Sequence, residues 1–224
     1  MLTRAFVPVF ALALAGSAPA QADLLARMDQ AATAFRSMSG SMRSVNHTAV
    51  IGTDEVESGT LLVKRVKAND VRMLTQLTEP DEKAVAFQGG KAEMYLPKAQ
   101  LVQVYDIGKN KDLLAQFFLL GFGTSRAEMT RDFTIEQGGE ETVAGRKTIR
   151  IGLTPKDQKI LQHLKKVELW VAPDTGYAVQ QKFHQGGGDY RLVTYTSLEI
   201  NPQIPDAALK LKLPRGVKRE IMGQ

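Results

Sequence analysis

The chain has 224 residues, 43% of them hydrophobic and 24% charged, with 19 Gly, 9 Pro and no Cys. This balance excludes a disordered or low-complexity chain, and the length suffices for one sizeable core. The lack of Cys excludes a disulfide scaffold, a thiol nucleophile, thiolate metal ligation and a lipid-modified cysteine; His47, His163 and His184 are too scattered for a His-rich metal site, and a net charge of +5 with a pI near 9.4 points to anionic headgroups or acidic partners before nucleic acid.

The first 22 residues have the layout of an export signal. Arg4 supplies the positive start, and Ala5 to Ala15 form an apolar run shorter than the ~20 residues a bilayer span needs. Ala20-Gln21-Ala22 is a small-x-small cleavage site, which places the junction between Ala22 and Asp23, with Ala18-Pro19-Ala20 as a second option. The expectation is a cleaved segment 1–22 and a single domain 23–224, exported to the periplasm of a cell with two membranes. Without Cys, a fold in that oxidising compartment stands on its core alone.

Downstream, Leu24, Leu25, Met28, Ala31, Ala32 and Phe35 recur at helical spacing, predicting one amphipathic helix from Asp23 to about Ser39-Gly40. Short β-branched segments between turn signals then predict strands over 42–51, 59–67, 71–78, 83–88, 92–96 and 101–105. The stretch 111–122 is strongly apolar and predicts a short helix ended by Gly121 and Gly123, and Thr124-Ser125 caps another through Thr130. Strands resume over 132–137, 141–144, 147–153, 165–172, 178–183 and 190–200, with turns at Gly138-Gly139, Gly145-Arg146, Pro173–Gly176 and Gly186–Gly188. Pro202, Pro205 and Pro214 mark an irregular tail. The fold class is therefore α+β: one large curved antiparallel sheet of about eleven strands with two or three helices.

Three stretches carry a family resemblance. They are Gly59-Thr60-Leu61-Leu62-Val63-Lys64-Arg65, then Gly89 to Pro97 followed by Gln103-Val104-Tyr105, and then Val167 to Tyr177 continuing through Tyr195–Leu198, Ile204–Asp206 and Pro214–Val217. In this order they resemble the periplasmic lipoprotein carriers LolA and LolB. The resemblance implies an incomplete β-barrel with a helical lid over an acyl-chain cavity. It further implies a carrier that takes acylated lipoproteins or lipids from an inner-membrane exporter towards an outer-membrane acceptor. A lipid-binding accessory or sensor of the same fold is the second reading, favoured by Val66 standing where the family has proline. A monomer without cofactor, metal or catalytic residues is expected.

By the resemblance, Arg65 holds the lid closed through its five donors, against the alternative of a solvated strand arginine. Phe117, Phe118, Leu119, Leu120 and Phe122 are candidates for the lid lining or for ordinary core. Met73, Leu77, Phe87, Met94 and Leu96 alternate along strands and are expected to face the concave side, where flexible Met suits variable chains. Trp170, the only Trp, is expected to anchor packing. Glu55 with Glu57 and Asp81 with Glu82 sit near turns as solvated charge, and the glycine run after His184 lacks the lysine and helix of a phosphate loop.

Overall fold

The computed structural model describes residues 18–67 and 70–223, with only the backbone of 18–22. The expected export segment up to residue 17 lies outside them, and the expected junction Ala22–Asp23 falls inside helix α1 (Ala18–Ala34). The apolar positions read from its periodicity, Leu24, Leu25, Met28, Ala31 and Ala32, are all buried, and Phe35 just beyond is completely so.

Twelve strands form one sheet. They are β1 (Ser37–Thr48), β2 (Thr53–Lys67), β3 (Asp70–Glu79), β4 (Lys83–Gln88), β5 (Lys91–Leu96), β6 (Leu101–Asp106), β7 (Phe133–Val143), β8 (Arg146–Pro155), β9 (Leu164–Val171), β10 (Ala178–Gln185), β11 (Tyr190–Ile200) and β12 (Lys218–Met222). The spatial order is β12-β6-β5-β4-β3-β2-β1-β11-β10-β9-β8-β7, so β1 and β11 meet at the centre and the outer edges stay apart. All pairings are antiparallel except β12 with β6. The result is an incomplete barrel. The β7–β8 hairpin shows how turn chemistry sets register. Val143 pairs with Arg146 across Ala144 and Gly145, whose φ values of 49° and 77° are those of a type I′ turn.

Helices α2 (Lys111–Leu119), α3 (Arg126–Asp132) and α4 (Gln158–His163) complete the chain. Helix α3 begins at Ser125 with a capping box: the Ser125 hydroxyl accepts from the Glu128 amide, and the Glu128 carboxylate accepts from the Ser125 amide. Two apolar clusters fill the concave side. One joins Phe35, Met38, Val63, Leu119, Phe122 and Tyr195; the other joins Leu24, Met28, Leu120, Met129, Leu153 and Leu169. On the opposite side the tail lays Ile204 and Leu209 over Leu74 and Ala86, and Trp170 packs with Ala172 and Val179 while its indole N–H donates to Glu141 at 2.7 Å.

Several elements differ from the sequence reading. The first helix ends at Ala34 and Ser39-Gly40 lies inside β1, because Gly40 is a close-approach residue rather than a stop: a Cβ there would collide with the Ser197 carbonyl of β11. Gly138-Gly139 is a bulge within β7, not a turn between two strands, since pairing with β8 continues on both sides of it. Helix α4 and strand β12 were not expected. Among the described residues there are accordingly twelve strands in the sheet, one of them parallel to its neighbour, and four α-helices rather than two or three.

Candidate functional site

Strand register creates the wall of the site. Met38 of β1 lies opposite Val63 of β2, Val63 opposite Met73 of β3, and Met73 opposite Phe87 of β4. These side chains share the concave face, because every second residue of a strand points the same way. Above them α2 brings Leu113, Leu114, Phe117 and Phe118, and α4 brings Ile160 and His163. The space between is a cavity of about 1170 Å³, beyond the ~300–1,000 Å³ of most small-ligand pockets. Phe118 meets Phe87 edge-on with ring centroids 4.7 Å apart, closing one flank. Helix α2 starts without a side-chain cap at Asn110, in contrast to α3. From α2, Gln116 Nε2 donates to the Asp132 carboxylate at the end of α3 at 3.4 Å.

Arg65 ties the helices to the sheet. It stands near the end of β2, where Nη1 donates to the Ala32 carbonyl in the last turn of α1 at 3.2 Å. Nη2 donates to the Gly123 carbonyl in the loop after α2. The guanidinium also lies over the Phe35 ring at 5.5 Å. Burial lowers its pKa from the ordinary arginine value, the Glu128 carboxylate opposes that, and Arg36 adds to it. Arginine stays charged throughout the working range.

The loop between α2 and α3 is fixed by backbone. The Leu119 carbonyl accepts from the amides of Phe122, Gly123 and Thr124, and the Gly121 carbonyl accepts from the Ala178 amide at 2.9 Å. Gln181, buried on β10, donates its side-chain N–H to the Leu120 carbonyl and accepts from the Tyr195 hydroxyl at 2.7 Å. Burial pushes the Tyr195 hydroxyl well above the usual tyrosine range, so it remains a donor. A Cβ on Gly123 would fall on the Arg65 guanidinium. Gly123→Ala is therefore expected to displace Arg65 and cost ~1.5–3 kcal/mol, the worth of a charge-assisted bond. Thermal unfolding checks this; an unchanged midpoint would mean that the guanidinium has room to shift without loss.

The residues singled out in the sequence fall into three places. Met73, Phe117 and Phe118 line the cavity, and Phe87 lines an adjoining pocket beneath Phe118. Leu77, Leu119, Leu120 and Phe122 are buried in the core clusters instead. Met94 and Leu96 share the concave face by register, two and four residues along β5 from Ala92, which pairs with Phe87, and they are half-buried away from the cavity. Several lining residues escaped the sequence reading. Met38 was hidden by extending α1 too far, although its spacing with Gly40 and Met42 is that of a strand, and Met42 was read as the start of a strand without being assigned to the cavity. Gln181, Arg191, Val193 and Tyr195 alternate along β10 and β11 and were legible as one face. The α4 residues carried a weaker signal, Asp157, whose carboxylate accepts from the Lys159 amide as an N-cap.

No family model and no curated protein matches the sequence. Among solved structures, MucB superposes with a TM-score of 0.52 at 21% identity, over 88% of this chain and 64% of that one. The chain thus spans less than two thirds of MucB. An uncharacterized conserved protein from Thermus thermophilus superposes with a TM-score of 0.56 at 9% identity, over 91% of this chain and 99% of that one. A LolA superfamily protein from Nitrosomonas europaea gives 0.38 at 13% identity, over 85% and 97%. The architecture that the sequence resemblance implied, an incomplete barrel with a helical lid on its concave side, is the architecture observed, and the chain shares its fold with MucB.

Proposed function

We propose that this protein is a periplasmic carrier that shields the acyl chains of lipoproteins in its cavity and moves them from the inner to the outer membrane. The observation that carries this reading is the cavity of about 1170 Å³ walled by Met38, Met73, Phe117, Phe118 and their neighbours. Exposing an acyl chain to water costs ~0.8 kcal/mol per CH₂, so a chain of ~14 such groups represents roughly 11 kcal/mol. A carrier must offset that cost and still surrender its cargo. A lid held by Arg65 supplies the means, since closing it in the empty protein competes with cargo. The partners on this reading are acylated lipoproteins, an inner-membrane exporter and an outer-membrane acceptor, and the carrier works as a monomer without cofactor or catalysis.

A second reading is a lipid-binding accessory or sensor that works beside an inner-membrane lipid transporter. The likeness to MucB, a protein captured together with MucA of Pseudomonas aeruginosa, favours it. Mass spectrometry of what co-purifies from the native compartment separates the two: lipoproteins for the carrier, free lipids for the accessory. Both readings expect an environment-sensitive acyl probe to bind with micromolar or better affinity and to be displaced by long-chain lipids. A flat titration would mean that the concave face accepts no chain.

A further inference from the structure

The cavity is lopsided in charge. Among the described residues its lining includes Arg191, Lys159 and His163 and no aspartate or glutamate. Arg191 stands on β11, opposite Asn46 of β1 and Phe183 of β10, on the face that also presents Val193 and Tyr195 to the cavity. Its Nε donates to the hydroxyl of Ser44, a fully buried residue, at 3.1 Å. That bond fixes the stem of the side chain and leaves both Nη groups, with four N–H donors by the guanidinium's chemistry, for something else. Among the described residues no carboxylate pairs with Arg191. Burial pushes the Tyr195 hydroxyl up and the Arg191 charge opposes the rise, so this charge is felt at the cavity wall. Lys159 reaches the same space from exposed α4.

We propose that the cavity takes a long-chain amphiphile with an anionic head, a carboxylate or a phosphate. Its chain lies along the Met and Phe wall and its head lies between Arg191 and Lys159. The proposal rests on the acyl binding that both readings above share, and a free anionic lipid is the ligand class of the second of them. A wholly neutral ligand gives no reason for Arg191 and Lys159 on a lining that carries no carboxylate. A guanidinium fork matches the paired oxygens of a carboxylate or phosphate.

The test uses three ligands with the same palmitoyl chain, palmitate, palmitoyl-lysophosphatidate and monopalmitin, each displacing one fluorescent acyl probe from the purified protein. The anionic ligands are expected to bind about tenfold more tightly than monopalmitin at low salt, with the gap narrowing at high salt. Preference between palmitate and lysophosphatidate tells a free fatty acid from a phospholipid as the source of the head. Arg191→Gln, which keeps a donor within reach of Ser44, and Lys159→Gln, on an exposed helix, should each shrink the anionic-to-neutral ratio severalfold. Equal binding of all three ligands, or a ratio unmoved in both variants, overturns the headgroup inference and leaves acyl binding standing. If neither probe nor ligand binds the wild-type protein, the acyl-chain reading itself falls, and this inference falls with it.

Discussion

Arg65→Leu is expected to give a folded protein that still accepts acylated cargo but releases it at least tenfold more slowly, so that loaded carrier accumulates. The substitution puts an apolar, strand-compatible residue at the same position of β2, so the sheet is preserved. It removes the bonds from Nη1 to the Ala32 carbonyl and from Nη2 to the Gly123 carbonyl, together with the charge over Phe35. Each charge-assisted bond contributes ~1.5–3 kcal/mol. On the carrier reading proposed above all of them belong to the closed form, so cargo-bound protein with α2 displaced would lose little. The balance moves towards the loaded state, and each ~1.4 kcal/mol of that shift is tenfold in the equilibrium. Arg65→Lys should fall between, because one ammonium cannot span two carbonyls on different elements as a planar fork does. A release assay with purified acceptor decides it: wild-type release with normal loading would show that Arg65 is a packing residue and no clamp.

Phe122→Ala should be the more destructive change, and for stability rather than transport. Phe122 is 2% exposed and sits at the centre of an aromatic group, 5.3 Å from Tyr195 edge-on, 6.2 Å from Tyr177 and 6.3 Å from Phe35. Truncating a buried Phe leaves a cavity that neighbouring strands cannot collapse to fill, at ~3–5 kcal/mol. For a chain of this size that lowers the melting temperature by roughly 6–20 °C. Phe118→Ala is the control. It lines the open cavity beside Phe87, so its truncation should cost far less stability and instead weaken acyl-probe binding. If Phe122→Ala unfolds within ~1 kcal/mol of wild type, the surrounding side chains collapse into the space and Phe122 is no core anchor.

The contrast between those two phenylalanines shows where sequence reasoning runs out. Both stand in the same apolar run, and α-helical periodicity gives no means of telling the half-turn that faces a cavity from the one that faces core. What separates them is the three amides converging on the Leu119 carbonyl, which end α2 and turn Phe122 inward. Strand alternation was more informative. It put Met73, Leu77, Phe87, Met94 and Leu96 on one face, and the observed register does the same. It could not say which of them lie under α2, because that depends on how far the sheet curls. Elements with strong local signals were read closely, including β4 and β11, whose bounds coincide with the expected 83–88 and 190–200. Those with weak ones were missed. Strand β12 is Lys-Arg-Glu-Ile-Met, a polar edge segment that owes its conformation to a distant partner, β6. Arg65 was found through resemblance, whereas Arg191 required the cavity.

The strand order carries a consequence for how the chain reaches this state. Strand β1 is made early, yet its second neighbour is β11, so that Met38 waits for Ile200 before the sheet's central seam can close. The arms β2 to β6 and β7 to β10 consist of adjacent antiparallel strands and are built from local contacts, but the seam joining them is not. Loop-closure entropy makes such distant pairing slow. An N-terminal fragment ending before β11 therefore presents β1 with an unpaired edge. A chain wired in this way completes its sheet only when nearly all of it has been made, and the unfinished seam is the place where a holding chaperone would have most to protect.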